Sequence, residues 1–277
     1  SVAGAPAIGD WDSYIEAFKV DDKGAPKALF TQAFGTAASD KPAGMVLDGT
    51  NLVTASIENG RAVLRRFDVS GAAPVLTATR DLGDIGGGEI TGLAMDGGRI
   101  VIAGSTSNPA LAAGSVSRLH SGGLDAFAAQ GSADLTPAGS DRIAYYGGAG
   151  DDKATSLAVS AGRVFIAGSA GTDLPDQDAV GKKDGFLTEL DIATGDIGFS
   201  RRFTGKDGYA APTAIAVDAT GSSVLDRLGL PKGTLDLSDS TRVTAVSALR
   251  PGDQFTVKAG TGTAKTVTID GNDTLDT

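Results

Sequence analysis

One thirteen-residue pattern is written three times along the chain: "MVLDGTNLVTASI" at 45–57, "LAMDGGRIVIAGS" at 93–105 and "LAVSAGRVFIAGS" at 157–169. An apolar triplet runs into a small polar turn, then a β-branched run, then Ala and often Gly-Ser. "IAVDATGSS" at 215–223 begins the same pattern and breaks off. Two further patterns alternate with it. One is "DSYIEAFKVDDKG" (12–24), "GRAVLRRFDVSG" (60–71) and "DGFLTELDIATG" (184–195), with "LDAFAAQ" (124–130) as a degenerate copy. The other, following each of these, is "LFTQAFGT", "VLTATRDLG", "RIAYYGGAGDD" and "GFSRRFTGKDG".

Copies of the first pattern start 48, 64 and 58 residues apart. Each period holds about four short runs of alternating or continuous apolar character, separated by Gly, Asp, Asn and Ser, which are strand and turn signals. Four short antiparallel strands per repeat describe the blade of a β-propeller, and stacking of neighbours buries the faces that one blade cannot. The expected fold is therefore all-β: a β-propeller of about four four-stranded blades over residues 1–220, closed within this chain or part of a larger ring. Extra length in "TSNPALAAGSVSRLHSGG" and "GTDLPDQDAVGKK" reads as loop on one rim. The fourth repeat supplies only its first strands, so residues 1–20 are expected to pair beside residues 213–218 and close the ring. The rival is that residues 1–20 end an earlier blade and the ring stays open.

Composition narrows the chemistry. Forty glycines suit tight corners, and the absence of cysteine excludes disulfides, thiolate catalysis and Cys-ligated metal. With 34 acidic against 24 basic residues the net charge is −10, which opposes nucleic-acid binding; the longest basic runs are Arg65-Arg66 and Arg201-Arg202. No apolar run approaches the roughly 18 residues that read as a membrane-spanning helix.

"YYGGAGDDKATSLAVSAGRVFIAGSAGTDLP…DGFLTELDIATG" resembles the bacterial β-propeller repeat, whose pattern runs Y-x-G-G-x-G-x-D, I-A-V-D, V-Y-V-T-G, D-A-F-V-x-K-L-D. The third repeat matches along nearly its whole length, the first two in their cores, and the fourth through "AIAVD". Such repeats occur in secreted and surface proteins and bring no catalytic motif. After them, Ser223 with Asp226, the shared face of Val224, Leu225 and Leu228, and the stop at Gly229 and Pro231 predict a short helical linker at 221–233. Residues 234–277 return to β alternation, with a hairpin expected around "GTGT" from Phe255 and Val257 to Val267 and Ile269. The order "F-T-V … K-T-V-T-I-D-G-N-D-T-L-D-T" resembles the flagellin IN motif of flagellins, hook-associated and filament-cap proteins. That motif continues into a helix, so the segment reads as a truncated start of one.

The pairing of propeller repeats with a flagellin-type motif is similar to that in alphaproteobacterial flagellar regulatory proteins. The resemblance implies a non-enzymatic, flagellum-associated protein whose propeller docks flagellin or another flagellar component. It implies a flagellar or extracellular location and brings no catalytic residue, and no cofactor is expected; the acidic charge and the lack of a long apolar run set aside nucleic acid and a membrane span. The alternative is a secreted or surface propeller that binds protein or glycan.

Each candidate site has a structural reading beside its chemical one. "GGAGDD" (147–152) is one step of the calcium nonapeptide G-G-x-G-x-D, which works through stacked copies and here occurs once, so a tight turn is expected of Asp151 and Asp152. It satisfies neither glycine-rich phosphate-binding motif. His120, the only histidine, is expected in a surface loop and is no base for a triad, since no G-x-S-x-G surrounds any serine. Asp173, Asp176 and Asp178 read as a solvated rim. Trp11, Tyr14, Tyr145 and Tyr146 fall at strand positions, where packing is the default over a carbohydrate groove.

Overall fold

The computed structural model describes residues 5–217, 252–258, 260, 262–270 and 273. It divides into two compact units, Ser1–Ala216 and Val217–Thr277. All described regular structure is β. The helical linker expected at 221–233 lies outside the described residues. Among those described, no helix is long and apolar enough to cross a membrane.

The first unit is a series of antiparallel sheets in chain order. A two-stranded sheet joins β1 (Ser13–Val20) to β2 (Pro26–Phe34). The next has β3 (Asp40–Asp48), β4 (Asn51–Glu58), β5 (Arg61–Asp68) and β6 (Val75–Asp84) in that order. Then come β7 (Glu89–Asp96), β8 (Arg99–Thr106), β10 (Asp125–Ser132) and β11 (Arg142–Tyr146), with the short β9 (Ser115–Arg118) added parallel to β11. The last is β12 (Lys153–Ser160), β13 (Arg163–Ala170), β14 (Asp184–Leu190) and β15 (Ile197–Phe203). All three sequence patterns become strands: the first makes β3–β4, β7–β8 and β12–β13, and the others make the outer pairs.

Local sequence explains the hairpins. The two-residue turns at Gly97-Gly98 and Ala161-Gly162 hold both residues at positive φ (54° and 79°; 51° and 79°), the backbone sense that matches the twist of the flanking strands. Each leading strand also carries a bulge at the same place, skipping Ala43, Thr91 and Thr155. This extra residue bends the strand and fixes which side chains face the next sheet.

β8 is continuously apolar because both its faces are covered. Ile100 and Ile102, with Phe127 and Tyr145, close on Val53, Ala55 and Leu64 of the preceding sheet. Val101 and Ala103, with Tyr146, close on Ile166, Phe186 and Leu190 of the following one. Each fully buried side chain of this size contributes about 1.5–3 kcal/mol. Phe127 and Phe186 lie across the strand pair from Gly104 and Gly168. A Cβ on Gly168 would stand 2.2 Å from the Lys153 carbonyl and 2.6 Å from the Phe186 ring.

Buried ion pairs lock the outer strands. Arg80 of β6 reaches Asp141 across to the neighbouring sheet at 2.8 Å, and Arg202 of β15 holds Asp184 of β14 at 2.6 Å. Burial alone would raise the Asp184 pKa; the Val180 amide and the Arg202 guanidinium outweigh it and hold the carboxyl below the usual range.

Two sequence expectations are corrected. Residues 1–20 do not pair beside residues 213–218 among the described residues. β1 pairs with β2 from Ser13↔Phe34 to Val20↔Pro26, while Ile215 donates its N–H to Ser156 Oγ against β12. The β1–β2 turn closes within a few residues (Gly24 N–H to the Asp21 carbonyl), so this local pairing needs far less chain closure. The insertion after β8 is not wholly loop. Its Val116 pairs with Ile143, which makes β9 a cover for the β11 edge.

The second unit contains the expected hairpin. β16 (Gln254–Val257) pairs with β17 (Lys265–Thr268), with Phe255 opposite Val267, and Ile269 is buried.

Replacing Gly168 with Ala is expected to destabilise the fold by about 1–3 kcal/mol through overpacking. Gly139→Ala, where an added Cβ meets nothing within 4 Å, should stay within about 0.5 kcal/mol of the parent in urea unfolding.

Candidate functional site

The glycine-rich turn before β12 is built by its own aspartates. Both Asp152 oxygens accept backbone hydrogen bonds, from Gly148 N–H and Gly171 N–H, each at 2.7 Å. Asp151 Oδ1 accepts from Leu124 N–H at 3.0 Å. Asp173 Oδ1 takes Ala149 N–H at 3.0 Å and the Thr172 hydroxyl at 2.8 Å. Burial pushes the Asp152 carboxyl up, against the pull of those two amides. The Thr172 hydroxyl and Ala149 amide hold exposed Asp173 down. The oxygens named here are thus engaged in shaping two adjoining loops. Asp176 adopts a positive φ of 57° in the second of these, within the Leu174–Gln177 turn.

The geometry repeats. Thr36, Ser121, Gly148 and Val180 each donate a backbone N–H to the aspartate four residues later: Asp40, Asp125, Asp152 and Asp184. Each carboxylate stands at or just before the start of a strand, so the entry loop is fastened to the sheet it enters. A small or β-branched residue four positions before an Asp at a strand start is a signal that sequence reading passed over.

His120 is not the surface residue expected. Its side chain is only 9% exposed, set edge-on to Tyr145 at 5.3 Å, and Nε2–H donates to the Thr106 carbonyl at 3.1 Å. The insertion carrying it folds back over β8 and β11, which explains the burial. Nδ1 lies 3.9 Å from Asp125 Oδ2, and that oxygen is already bonded to the amide and hydroxyl of Ser121. Ser121 Oγ also reaches the Gly147 carbonyl, so no serine–imidazole hydrogen bond is formed here.

Tyr145 and Tyr146 are fully buried, as strand packing predicts, and burial raises both phenols. Tyr145 Oη accepts from Leu111 N–H, and Tyr146 pairs with the Ser200 hydroxyl. Trp11 and Tyr14 depart from the packing expectation: they are 76% and 48% exposed. With Pro6, Asp10 and Ala33 they line a cavity of about 400 Å³. Asp12 shapes its wall, accepting the amides of Ile8 and Gly9 at 2.8 and 2.9 Å. A hydrophobic aromatic wall with a few fixed polar groups is the surface chemistry of a binding site.

No protein-family model matches the chain. Aligned over 301 residues, it is 42% identical to the regulatory protein FlaEY of Caulobacter vibrioides, an alignment covering 99% of this chain and 32% of FlaEY. The chain resembles FlaEY. It spans about a third of that protein's length, and the similarity runs through both units described above. FlaEY is named as a regulatory protein.

If Asp151, Asp152 and Asp173 serve the loops alone, neither added calcium nor chelator will move the melting temperature. A calcium-dependent rise of more than about 3 °C would assign a metal to this turn.

Proposed function

We propose that this chain is a non-enzymatic regulatory protein associated with the bacterial flagellum, and that its stacked sheets are blades of a β-propeller that docks a protein partner. The observation that carries the reading is the 42% identity to FlaEY along nearly the whole chain. The flagellin-type pattern in 255–277, together with the β16–β17 hairpin that part of it forms, supports the flagellar assignment. Repeated four-strand units and shared bulge positions support the propeller. Flagellin or another flagellar component is the partner this reading favours, with action at the flagellum or cell surface on flagellin production or filament assembly. The net charge of −10 argues that any effect on flagellin genes is indirect rather than through DNA contact.

A second reading rests on the exposed Trp11 and Tyr14, which suit stacking on a sugar ring, and makes the chain a glycan-binding surface module. Immobilised chain incubated with alphaproteobacterial extract separates the two. Retention of flagellin or a hook or cap component, reduced by Trp11→Ala only if that patch is used, is the expected result. Retention of no flagellar protein, with binding to a glycan array lost in Trp11→Ala, would replace the proposal by the second reading.

A further inference from the structure

The leading strands of successive sheets stack by one rule. Leu93 sits over Gly44, where a Cβ would come 3.1 Å from the leucine Cβ. Leu157 sits over Gly92, where the same atom would come within 2.6 Å. Ile215 follows at Ser156, its N–H bonded to the serine hydroxyl at 2.9 Å, and Thr155 Oγ1 donates to the Pro212 carbonyl at 2.6 Å. A leucine of one strand thus caps a glycine of the strand before it at two places, and at Ser156 the contact is a hydrogen bond from the Ile215 backbone.

The series has two open ends. Met45, the equivalent of Leu93 and Leu157, is 65% exposed, and Leu47 beside it is 62% exposed, whereas Leu93, Met95 and Leu157 are half-buried. At the far end Ala214, the equivalent of Gly44, Gly92 and Ser156, is exposed. The Met45 end also opens onto an apolar groove of about 240 Å³ lined by Tyr14, Phe34, Met45 and Thr54. Thr54 Oγ1 is buried without a hydrogen-bond partner, and so is Ser13 Oγ at the start of β1. The second edge of β1 forms no ladder among the described residues.

We infer that these ends are halves of one interface and that copies of this chain join head to tail, Met45 of one copy capping Ala214 of the next. The occupant is a second copy because the open face continues the interface already made three times within the chain, and the matching small residue is on the same unit. The segment around Ala214 of one copy would meet the apolar groove at Met45 of its neighbour. Such a contact is heterologous and makes rings or chains of copies rather than a two-fold dimer. It stands apart from the flagellar reading, whose pull-down is unaffected by the outcome.

The chain has no cysteine, so Met45→Cys and Ala214→Cys at these exposed positions report the contact directly. Under mild oxidation, mixing the two single variants should give several-fold more disulfide-linked dimer than either alone, and the double variant should give a ladder. A cross-link within one chain, independent of dilution, would place the closure inside the molecule and overturn the inference. So would a mixture that yields no more dimer than the single variants. The unmodified chain should also sediment as concentration-dependent oligomers that Met45→Lys returns to monomer; a monomer at every concentration would contradict the proposal.

Discussion

Stacked β-sheets ordinarily keep about 10 Å between their faces, and side chains fill the gap. Here the leading strands approach until a side chain of one nearly touches the backbone of the other, and this is possible only where the receiving residue lacks a bulky side chain. At Gly92 a single added carbon would collide with Leu157. That close approach brings the second strands into register, so Ile102 meets Val53 and Ala55, and Ile166 meets Val101 and Ala103, in two continuous cores. The shared bulges at Ala43, Thr91 and Thr155 aim the strands for it. Farther out, the buried Arg80–Asp141 pair ties two neighbouring sheets together.

The outer ends are secured differently, by carboxylates that capture backbone amides. Asp40, Asp125, Asp152 and Asp184 are all buried, and each fastens the loop four residues before it. Hydrogen bonds to a charged acceptor are stronger than neutral ones, and they repay burying a carboxylate. The result is a set of loops with fixed shape around an acidic rim. Loops held in this way would need little rearrangement to meet a partner, as the proposed docking role requires.

Much of this architecture was legible in the chain. The pattern at 45–57, 93–105 and 157–169 specified three hairpins, because β-branched runs around a two-residue Gly turn have few alternatives. The hairpin from Phe255 to Val267 was legible for the same reason. What escaped depends on which sheet lies beside which. β9 pairs parallel to β11, a contact its own weakly apolar "SVSR" does not announce. His120 is covered by the segment that carries it, whereas Trp11 and Tyr14 stay largely exposed. Local pattern fixes a strand, whereas its neighbours decide what it buries. The pairing expected for residues 1–20 is not seen among the described residues, where β1 instead pairs locally with β2.

That the stacking of the leading strands rests on side chains seated over small residues is tested most directly by a double-mutant cycle at Gly92 and Leu157. Gly92→Ala should be destabilising because its methyl meets Leu157, and Leu157→Gly should be destabilising because the cap is lost. If the two positions form one contact, the double variant will be more stable than the sum of the singles predicts, with a coupling of about 1–3 kcal/mol. Additivity to within about 0.5 kcal/mol would mean that the residues act independently, and the stacking account would be wrong.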